Sequence, residues 1–442
     1  MKRKSKLLFS NFKLENWENL ILFAVFSFYL SQFGFIVGKG SFPREYGEDY
    51  LAFWSAGKIA DEKGYSEIYD LNNLRSIQIQ ELKALGFLVK IDDLSIPIVP
   101  APYFSFFVPP FRLLSRVNPE LGYWIWTIFN LTVLVGYLVF VLRKTLLGES
   151  SLSSSKKILW LMLLSFPVFS NLLEGQLNVF LLVCSGEFIR YVASKKPVLS
   201  GLWLGGLLLK PQLLILIIPI ILIMRNWKLL MGFIISSGVI LMTSLFLSGF
   251  TGMNELINLW TKSSVGMAAS APVNMINWRM VGVNLNTLMN ISAGWAMTGL
   301  GITLTILAVY FLIKCSPPYG SPLWVMTILG VFSATLAITW HAHYAMALVL
   351  VPFLIYASSY KLLPEKIIFL WVVVTPVVMF GMMIFSLFVL FLAKTNINNY
   401  NGMVIAFSGF IFNLAILVSV IQFFYDRSKQ KYSVPEGSPT QH

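Results

Sequence analysis

The feature that most constrains the fold is a series of long apolar runs that charged residues do not interrupt. Stretches such as LLILIIPIILIM and GFIISSGVILMTSLFL would make helices that are apolar on every side. Such helices belong in lipid. Of the 442 residues, 57% are hydrophobic and 12% are charged, whereas a soluble domain has about one quarter charged residues. The sequence therefore predicts an all-α polytopic membrane protein, with residues 1–442 forming a single integral membrane domain.

A bilayer-crossing helix needs about 20 apolar residues, and this criterion predicts about twelve transmembrane helices. The predicted spans are 17–38, 120–142, 158–173, 175–192, 198–209, 211–224, 228–249, 296–314, 322–340, 342–359, 366–393 and 402–425. The first is too long for the apolar part of a cleaved signal peptide, so we interpret it as a retained signal anchor. The pieces 198–209 and 211–224 are short, which favours two helices that meet at a break inside the protein.

Lysine and arginine are distributed unevenly among the loops of this topology. Basic loops such as RYVASKKP, RNWK and SYKLLPEK all lie on one face, and that face carries the whole net charge of +13. Short basic loops stay in the cytoplasm, so we predict a plasma-membrane protein with cytoplasmic N- and C-termini. Because the basic residues follow topology and form no patch, we predict no nucleic-acid partner.

Two longer segments fall on the opposite, outer face. The first outer loop, 39–119, contains an apolar face of Tyr50, Phe53 and Trp54, which predicts an interfacial helix lying on the bilayer. The piece YFSFFVPPFRLL is too short to span and predicts a second interfacial or re-entrant segment. The second outer loop is 250–295. The polar residues 426–442 predict a flexible cytoplasmic tail.

Ionisable and amide side chains stand at the ends of several predicted spans, where a charge at membrane depth costs about 2.5–3.5 kcal/mol. They are Asp49, Glu174, Gln176, Lys210, Arg279, His341 and His343. Each alone has an ordinary structural interpretation: a helix cap, a tight turn, a snorkelling lysine, a Trp–Arg interfacial anchor or hydrogen-bonded histidines. The His-Ala-His spacing is also a weak metal signal, since no Cys, Asp or Glu cluster accompanies it.

These groups share one property, which is that all of them fall on the predicted non-cytoplasmic face. A carboxylate, cationic or imidazole donors, amides and aromatic rings at the outer edge of a helical bundle suit an anionic amphiphile. We therefore predict a site in which a lipid phosphate enters sideways from the bilayer and meets Lys210, Arg279 and the two histidines.

Five segments, in order along the chain, resemble the polyprenol-phosphate-sugar-dependent glycosyltransferases of the C-type fold, in particular glycosyltransferase family 87, the alpha-mannosyltransferases. They are DYLAFWSAGKIADEKGYSEIYD, APYFSFFVPPFRLLSRVNPELGYWIWTIFNL, EGQLN, SGLWLGGLLLKPQ and ITWHAHYAMALVLVPF. EGQLN, with Gln176 and Asn178, is similar to the family's Gly-Gln-x-Asn turn. SGLWLGGLLLKPQ, with Lys210 and Gln212, is similar to its span ending in Lys-Pro. The family's double histidine appears here as His-Ala-His, and the aromatics and the proline pair of the second segment are spread out.

The resemblance implies a C-type fold and a transfer of a hexose, with mannose as donor sugar, from a polyprenyl-phosphate carrier to an acceptor glycan or glycolipid. It implies that Asp49 is the general base of a single inverting displacement at the outer face. Lys210, Arg279, His341 or His343 would supply positive charge for the leaving phosphate. The chain has no evident Asp-x-Asp motif, which fits a lipid donor and predicts no metal and no cofactor.

Two other functions fit parts of the pattern. A transporter or flippase for lipid-linked sugars would also place polar groups in a helical bundle, but such proteins often have repeated halves and midplane sites. An O-antigen-type ligase or polymerase also acts on lipid-linked sugars at the outer face, but usually has a larger late outer loop than 250–295.

Overall fold

The protein is described by a computed structural model that covers residues 14–38, 42–43, 46–86, 99–142, 162–266, 275–289, 293–393 and 401–432. Every regular element among these residues is a helix, and this part of the chain contains no β-strand. The all-α prediction is therefore confirmed for the described residues.

The α-helices are numbered in chain order. They are α1 (Leu14–Gly38), α2 (Glu48–Glu62), α3 (Leu71–Ala84), α4 (Pro109–Leu114), α5 (Pro119–Gly136), α6 (Phe166–Glu174), α7 (Asn178–Ala193), α8 (Pro197–Gly205), α9 (Ile217–Ile223), α10 (Trp227–Gly266), α11 (Trp278–Met289), α12 (Ala293–Cys315), α13 (Pro322–Ile338), α14 (Val351–Ser359), α15 (Glu365–Ala393) and α16 (Asn401–Tyr432). Short 3₁₀ segments cover Tyr65–Glu67, Ser105–Phe107, Gly206–Leu209, Pro211–Leu214 and Tyr344–Leu350, and a π-helical segment, Tyr137–Leu142, extends α5.

Six helices of the described chain are long and apolar enough to cross a membrane. They include Trp17–Gly38, Pro119–Val141, Trp227–Thr261, Gly294–Cys315, Lys366–Leu392 and Gly402–Ser428. These six coincide with six of the predicted spans. The others coincide with shorter or broken helices, and the predicted span 158–173 is described only from residue 162, so the count of twelve stays a prediction. Proline near the start of several of these helices accounts for the breaks, because it cannot donate the backbone hydrogen bond that a continuous helix requires.

Most of helix α2 is buried by other parts of the protein, and its predicted position at the membrane interface stays a prediction. Ser55, placed on its polar face by periodicity, is fully buried. Gly57 allows close packing against α4, since a Cβ atom there would lie 2.3 Å from the carbonyl carbon of Phe111. Charged side chains are confined to its two ends, with Glu48 and Asp49 in the first turn and a Lys58–Glu62 ion pair at 3.1 Å at the C-terminal end. Periodicity identifies the apolar side of a helix but cannot show that a second helix covers the other side.

The piece YFSFFVPPFRLL forms the 3₁₀ turn Ser105–Phe107 followed by α4, and neither is long enough to span. The Ser105 hydroxyl donates to the Ser244 carbonyl oxygen at 2.9 Å, and the Phe106 amide donates to the Ser244 hydroxyl at 3.2 Å. These bonds dock the first outer segment against α10. They connect a region that the sequence presents as a surface loop to the C-terminal part of the predicted span 228–249.

Two predicted loop regions are more helical than expected. Helix α10 continues past residue 249, where Gly249 has a φ of 66° and kinks it, and ends at Gly266. With α11, it makes much of the predicted outer loop 250–295 helical. Helix α16 runs to Tyr432, so residues 426–432 of the predicted flexible tail are helical. A helix continues through polar residues when its side chains project outward, and hydropathy alone does not detect this. Residues 433–442 lie outside the described part.

Three helical segments, which we call legs, lead away from candidate polar groups. The first is α7, the second runs through the 3₁₀ turn Pro211–Leu214 into α9, and the third runs through Tyr344–Leu350 into α14. With 16 residues, α7 is about 24 Å long. Each leg begins near one of the candidate polar groups and ends at an exposed basic residue, namely Lys195, Arg225 or Lys361.

Candidate functional site

A cavity of about 490 Å³ lies where the first outer segment meets the starts of the second and third legs. It is lined by Asp49, Val99, Pro100, Pro102, Tyr103, Leu209, Lys210, Pro211, Gln212, Ile215, Trp260, Ile338, Thr339, Trp340, His341 and His343. Five of the nine candidate residues from the sequence therefore face one space. They come from three regions far apart in the chain, which local sequence patterns cannot bring together.

Asp49 is held in the first turn of α2 by an amide network. The Gln176 side-chain amide donates to the Asp49 carboxylate, and the Asn178 side-chain amide donates to the Gln176 oxygen. The N-terminal cap of α2 is Gly47, which has no side chain, so Asp49 is not the helix cap that its sequence position allows. The Gly47 amide donates to the Leu173 carbonyl oxygen at 2.8 Å and fixes α2 on the end of α6.

The protonation of Asp49 reflects competing effects. Burial raises the pKa of this carboxyl, while the Lys210 charge and the Gln176 hydrogen bond lower it, and the balance is a pKa above the usual aspartate value. A raised pKa makes a carboxylate more basic, which suits a group that accepts a proton.

The turn that presents Gln176 is a close-packed helix end. Gly175 has a φ of 67°, and the Gln176 amide donates to the Asn171 carbonyl oxygen at 2.9 Å, as in a Schellman motif. A Cβ atom at Gly175 would lie 2.6 Å from the Tyr50 Cβ, so the tight-turn interpretation of this segment is confirmed. The Trp126 indole donates to the Gly175 carbonyl oxygen at 3.0 Å and holds the turn against α5.

Glu174 lies beside Asp49 but does not line the cavity. Burial, followed by the charges of Asp49 and Glu48, raises the pKa of the Glu174 carboxyl well above its usual value. This favours its neutral form, so the Asp49 carboxylate is the stronger candidate for a negative charge here. Within the described residues, no three His, Cys, Asp or Glu side chains are placed to hold a metal ion.

Lys210 occupies the break between the 3₁₀ turns Gly206–Leu209 and Pro211–Leu214. Its side chain is 7% exposed, which contradicts the interpretation of a snorkelling lysine that reaches into water. The ammonium lies 5.0 Å from the centroid of the Tyr103 ring, in cation–π geometry. Burial raises the pKa of Tyr103, and the Lys210 charge opposes this rise.

Tyr103, Trp260 and Trp340 also line the cavity, and the sequence alone does not single them out. The Trp260 indole donates to the Pro102 carbonyl oxygen at 2.9 Å, a contact between residues 158 positions apart. The only local signal for these residues was their aromatic character, which is common throughout this chain. Gln212, a predicted site residue, donates to the His341 carbonyl oxygen at 3.4 Å.

His341 and His343 pack against each other in T-shaped geometry, with ring centroids 4.6 Å apart. Burial, then His343 and Lys210, lowers the pKa of His341 to about 2, and burial and Lys210 lower that of His343 to about 4. Both imidazoles are therefore neutral at pH 7. A neutral imidazole offers one donor and one acceptor, so it would contact a phosphate through hydrogen bonds. The predicted role of either histidine in supplying positive charge stays a prediction.

Arg279 does not line the cavity but lies behind one of its walls. Its guanidinium carbon is 3.9 Å from the centroid of the Trp340 ring, and one of its terminal nitrogens donates to the Trp340 carbonyl oxygen at 3.3 Å. Asn277 ties the same segment down, because its side-chain amide donates to the Thr339 carbonyl oxygen at 2.8 Å. The Trp–Arg contact therefore forms with Trp340. The neighbouring Trp278 instead donates to the Thr305 hydroxyl at 2.9 Å.

The glycosyltransferase family 87 model matches residues 101–339, more than half of the chain. The match includes Tyr103, Gln176, Lys210 and Arg279, whereas Asp49 and the histidine turn lie outside it. No curated protein and no solved structure matches the chain. The family match, together with six helices long enough to cross a bilayer, confirms the resemblance seen in the sequence. The chain therefore belongs to glycosyltransferase family 87 and is a multi-pass membrane glycosyltransferase.

Proposed function

We propose that this enzyme transfers a hexose, with mannose as the leading candidate, from a polyprenyl-phosphate carrier to an acceptor glycan or glycolipid. The observation that carries the proposal is the placement of the Asp49 carboxylate and the buried Lys210 ammonium on one cavity. A base and a fixed positive charge are the two groups that an inverting displacement at a lipid-phosphate sugar requires.

In the proposed reaction, an acceptor hydroxyl attacks the anomeric carbon of the donor. The new bond joins the acceptor oxygen to that carbon, and the bond from the carbon to the phosphate oxygen breaks. Asp49 takes the hydroxyl proton, and polyprenyl phosphate leaves with the bonding electrons. A single displacement inverts the configuration and converts a beta-linked donor to an alpha-linked product. The lipid-linked sugar is a substrate, so the proposed step uses no cofactor and no metal.

Lys210 is the proposed partner of the leaving phosphate. Its side chain is largely buried, and an electrostatic interaction is stronger in such a site than in water. The neutral His341 and His343 imidazoles contribute hydrogen bonds to phosphate or sugar oxygens, and Gln212 lies beside them on the same wall. Gln176 and Asn178 act indirectly, because they orient the Asp49 carboxylate and do not contact the donor.

The other walls of the cavity suit the rest of a lipid-linked sugar. Leu209, Ile215 and Ile338 supply an apolar side, and Ile215 is 57% exposed, which provides a surface for the first part of the lipid chain. Tyr103, Trp260 and Trp340 supply rings against which the apolar faces of a sugar can stack. In this proposal, Arg279 is a positioning residue that fixes Trp340 and does not touch the phosphate.

The proposed site opens on the outer face of the plasma membrane. The basic residues Lys195, Arg225 and Lys361 lie at the far ends of the three legs, and basic loops face the cytoplasm. The N- and C-termini share that face in the predicted topology. A donor carried by the outer leaflet would therefore reach the cavity sideways through lipid.

The test is an assay of the purified protein with a radiolabelled polyprenyl-phosphate mannose and a glycolipid extract as acceptor mixture. We expect label to appear in the acceptor fraction and to be released by an alpha-mannosidase but not by a beta-mannosidase. The same protein in sealed vesicles distinguishes the rival function. Movement of the labelled lipid across the bilayer with no transfer of sugar would contradict the proposal and favour a flippase.

A further inference from the structure

A second cavity, of about 560 Å³, lies at the opposite end of the third leg from the candidate site. It is formed by the turn after α14, the first turn of α15 and residues 419–426 of α16, and we name it the α14–α16 groove. Its lining comprises Ser358, Lys361, Leu362, Leu363, Pro364, Ile367, Ser419, Gln422, Phe423 and Asp426. No step of the proposed reaction uses these residues.

The groove lies at the level where spans end. One wall belongs to the start of the candidate span Lys366–Leu392, and the other to the end of the candidate span Gly402–Ser428. Leu370 follows Ile367 by three residues and is 46% exposed, and Val418 precedes Gln422 by four residues and is 59% exposed. Residues at these spacings share a helix face, so an exposed apolar track runs from the groove toward the middle of both spans.

The polar lining of the groove contains one basic and one acidic side chain. The Lys361 ammonium and the Asp426 carboxylate line the same space and are both exposed. Among the described residues, they form no ion pair with each other. The exposed Gln422 amide lies on the Asp426 wall, four residues earlier on α16.

A buried hydroxyl gives an independent indication of a ligand. Ser358 is 5% exposed, and its Oγ has no hydrogen-bond partner within the described part of the chain. A buried polar group without a partner costs free energy, which a ligand oxygen or nitrogen can recover. Because Ser358 lines the groove near Lys361, a phosphate at the Lys361 side could accept this bond.

We propose that the α14–α16 groove binds one glycerophospholipid with a zwitterionic, primary-amine headgroup, as in phosphatidylethanolamine. Lys361 and Ser358 hold the phosphate, Asp426 and Gln422 hold the ammonium group, and the acyl chains follow the track past Leu370 and Val418. The apolar track selects a lipid, and the opposite charges select a headgroup that carries both signs. This inference is independent of the proposed transfer reaction.

The test is native mass spectrometry of the full-length protein in detergent, titrated separately with phosphatidylethanolamine, phosphatidylcholine and phosphatidylglycerol. We expect phosphatidylethanolamine to bind most tightly, because phosphatidylcholine has no N–H donors and phosphatidylglycerol has no ammonium group for Asp426. Lys361→Ala removes a charge-assisted bond, so we expect about tenfold weaker binding of phosphatidylethanolamine. Asp426→Asn should abolish the preference for phosphatidylethanolamine over phosphatidylcholine.

Lys195→Ala is the matched control, since Lys195 has the same φ of 53° as Lys361, follows a helix in the same way and does not line the groove. It should bind all three lipids as the wild type does. Equal binding of the three lipids, or equal losses in the Lys195 and Lys361 variants, would overturn the proposal. Asp49→Asn should leave lipid binding unchanged, which separates this result from any failure of the transfer assay.

Discussion

The helix end beside the candidate site and those at the far ends of the three legs have the same backbone geometry but different side chains. At the site end, α6 closes in a Schellman turn at Gly175, which has a φ of 67° and no space for a Cβ atom beside Tyr50. At the other end, three legs close in comparable turns, with Lys195, Arg225 and Lys361 at φ values of 52–53°. A left-handed conformation costs a non-glycine residue about 1–2 kcal/mol.

The difference shows what each end is built to do. The site end is packed tightly against α2 and α5 and directs its polar groups inward, toward one another. The far ends of the three legs carry the exposed side chains of Lys195, Arg225 and Lys361, whose backbone tolerates a left-handed conformation. Substitutions at the first end should therefore change catalysis or stability strongly, whereas those at the second should change them little.

The largest expected effect is that of Asp49→Asn. An asparagine keeps the shape of the side chain, but its amide cannot act as a base and take the proton of the acceptor hydroxyl. We expect the transfer rate to fall by about 10²–10⁴-fold, the usual contribution of general-base catalysis. The measurement is the radiolabel transfer assay with purified protein, with the melting temperature as a check on folding. The control Glu48→Gln changes an exposed neighbouring carboxylate and should retain most activity. Wild-type rates in Asp49→Asn would show that Asp49 is not the base.

Lys210→Met removes the buried charge from the cavity and keeps an unbranched side chain. We expect kcat to fall by about 10²–10³-fold, as when one donor to a developing anion is lost. Single-turnover kinetics with labelled donor measure this loss. Lys195→Met, at the far end of the first leg, should leave kcat unchanged. Equal effects of the two substitutions would show that the loss of charge acts through general electrostatics and not through the cavity.

Gly175→Ala should destabilise the protein without removing any functional group. The left-handed backbone and the 2.6 Å approach to the Tyr50 Cβ together cost about 2–4 kcal/mol. The measurement is the thermal unfolding midpoint in detergent. Gly238→Ala is the control, because a Cβ atom there meets nothing within 4 Å and alanine favours the interior of α10. An unchanged midpoint in Gly175→Ala would contradict the close packing of the site end.

The pH dependence of transfer tests the environment of Asp49. The base must be ionised, and burial raises its pKa, so kcat/KM should fall as pH falls through a value above that of an ordinary aspartate. The Gln176 hydrogen bond stabilises the ionised form, so Gln176→Leu should raise the pKa further and move this acid limb to higher pH. A pH–rate profile of the two proteins measures the shift. An acid limb that stays in place or moves to lower pH in Gln176→Leu would contradict the hydrogen bond between Gln176 and Asp49.

The smallest effect is expected for Lys195→Gly, at the far end of the first leg. Lys195→Gly relieves left-handed strain but increases the entropy of the unfolded chain, and we expect a net gain of about 0.5–1 kcal/mol. Thermal unfolding in detergent measures it. The control Lys196→Gly should give no gain, since Lys196 has a φ of −109°. Equal changes in the two variants would show that strain is not the cause.

Local sequence features predicted several parts of this architecture well. Uninterrupted apolar runs predicted the six long spans, and Pro211 after Lys210 predicted the helix break that holds the lysine. Gly175 predicted the turn beside Gln176. In each case, one or two neighbouring residues determine the local structure.

Other features depended on contacts that local patterns do not encode. The burial of α2 depends on α4, and the aromatic lining depends on contacts such as Trp260 with Pro102. The neutral state of His341 and His343 depends on burial and on Lys210, neither of which can be seen in ITWHAHYAM. The sequence identified the residue types of the site. Their protonation and their burial follow from packing and can be seen only in the structure.

The most direct measurement is an electron cryo-microscopy structure of the protein with bound polyprenyl phosphate. We predict that the phosphate lies in the cavity at Lys210, between Asp49 and the His341–His343 turn, with the lipid chain leaving past Ile215. A phosphate bound instead at the basic turns of Lys195, Arg225 and Lys361 would place the chemistry at the wrong end of the molecule and contradict the account.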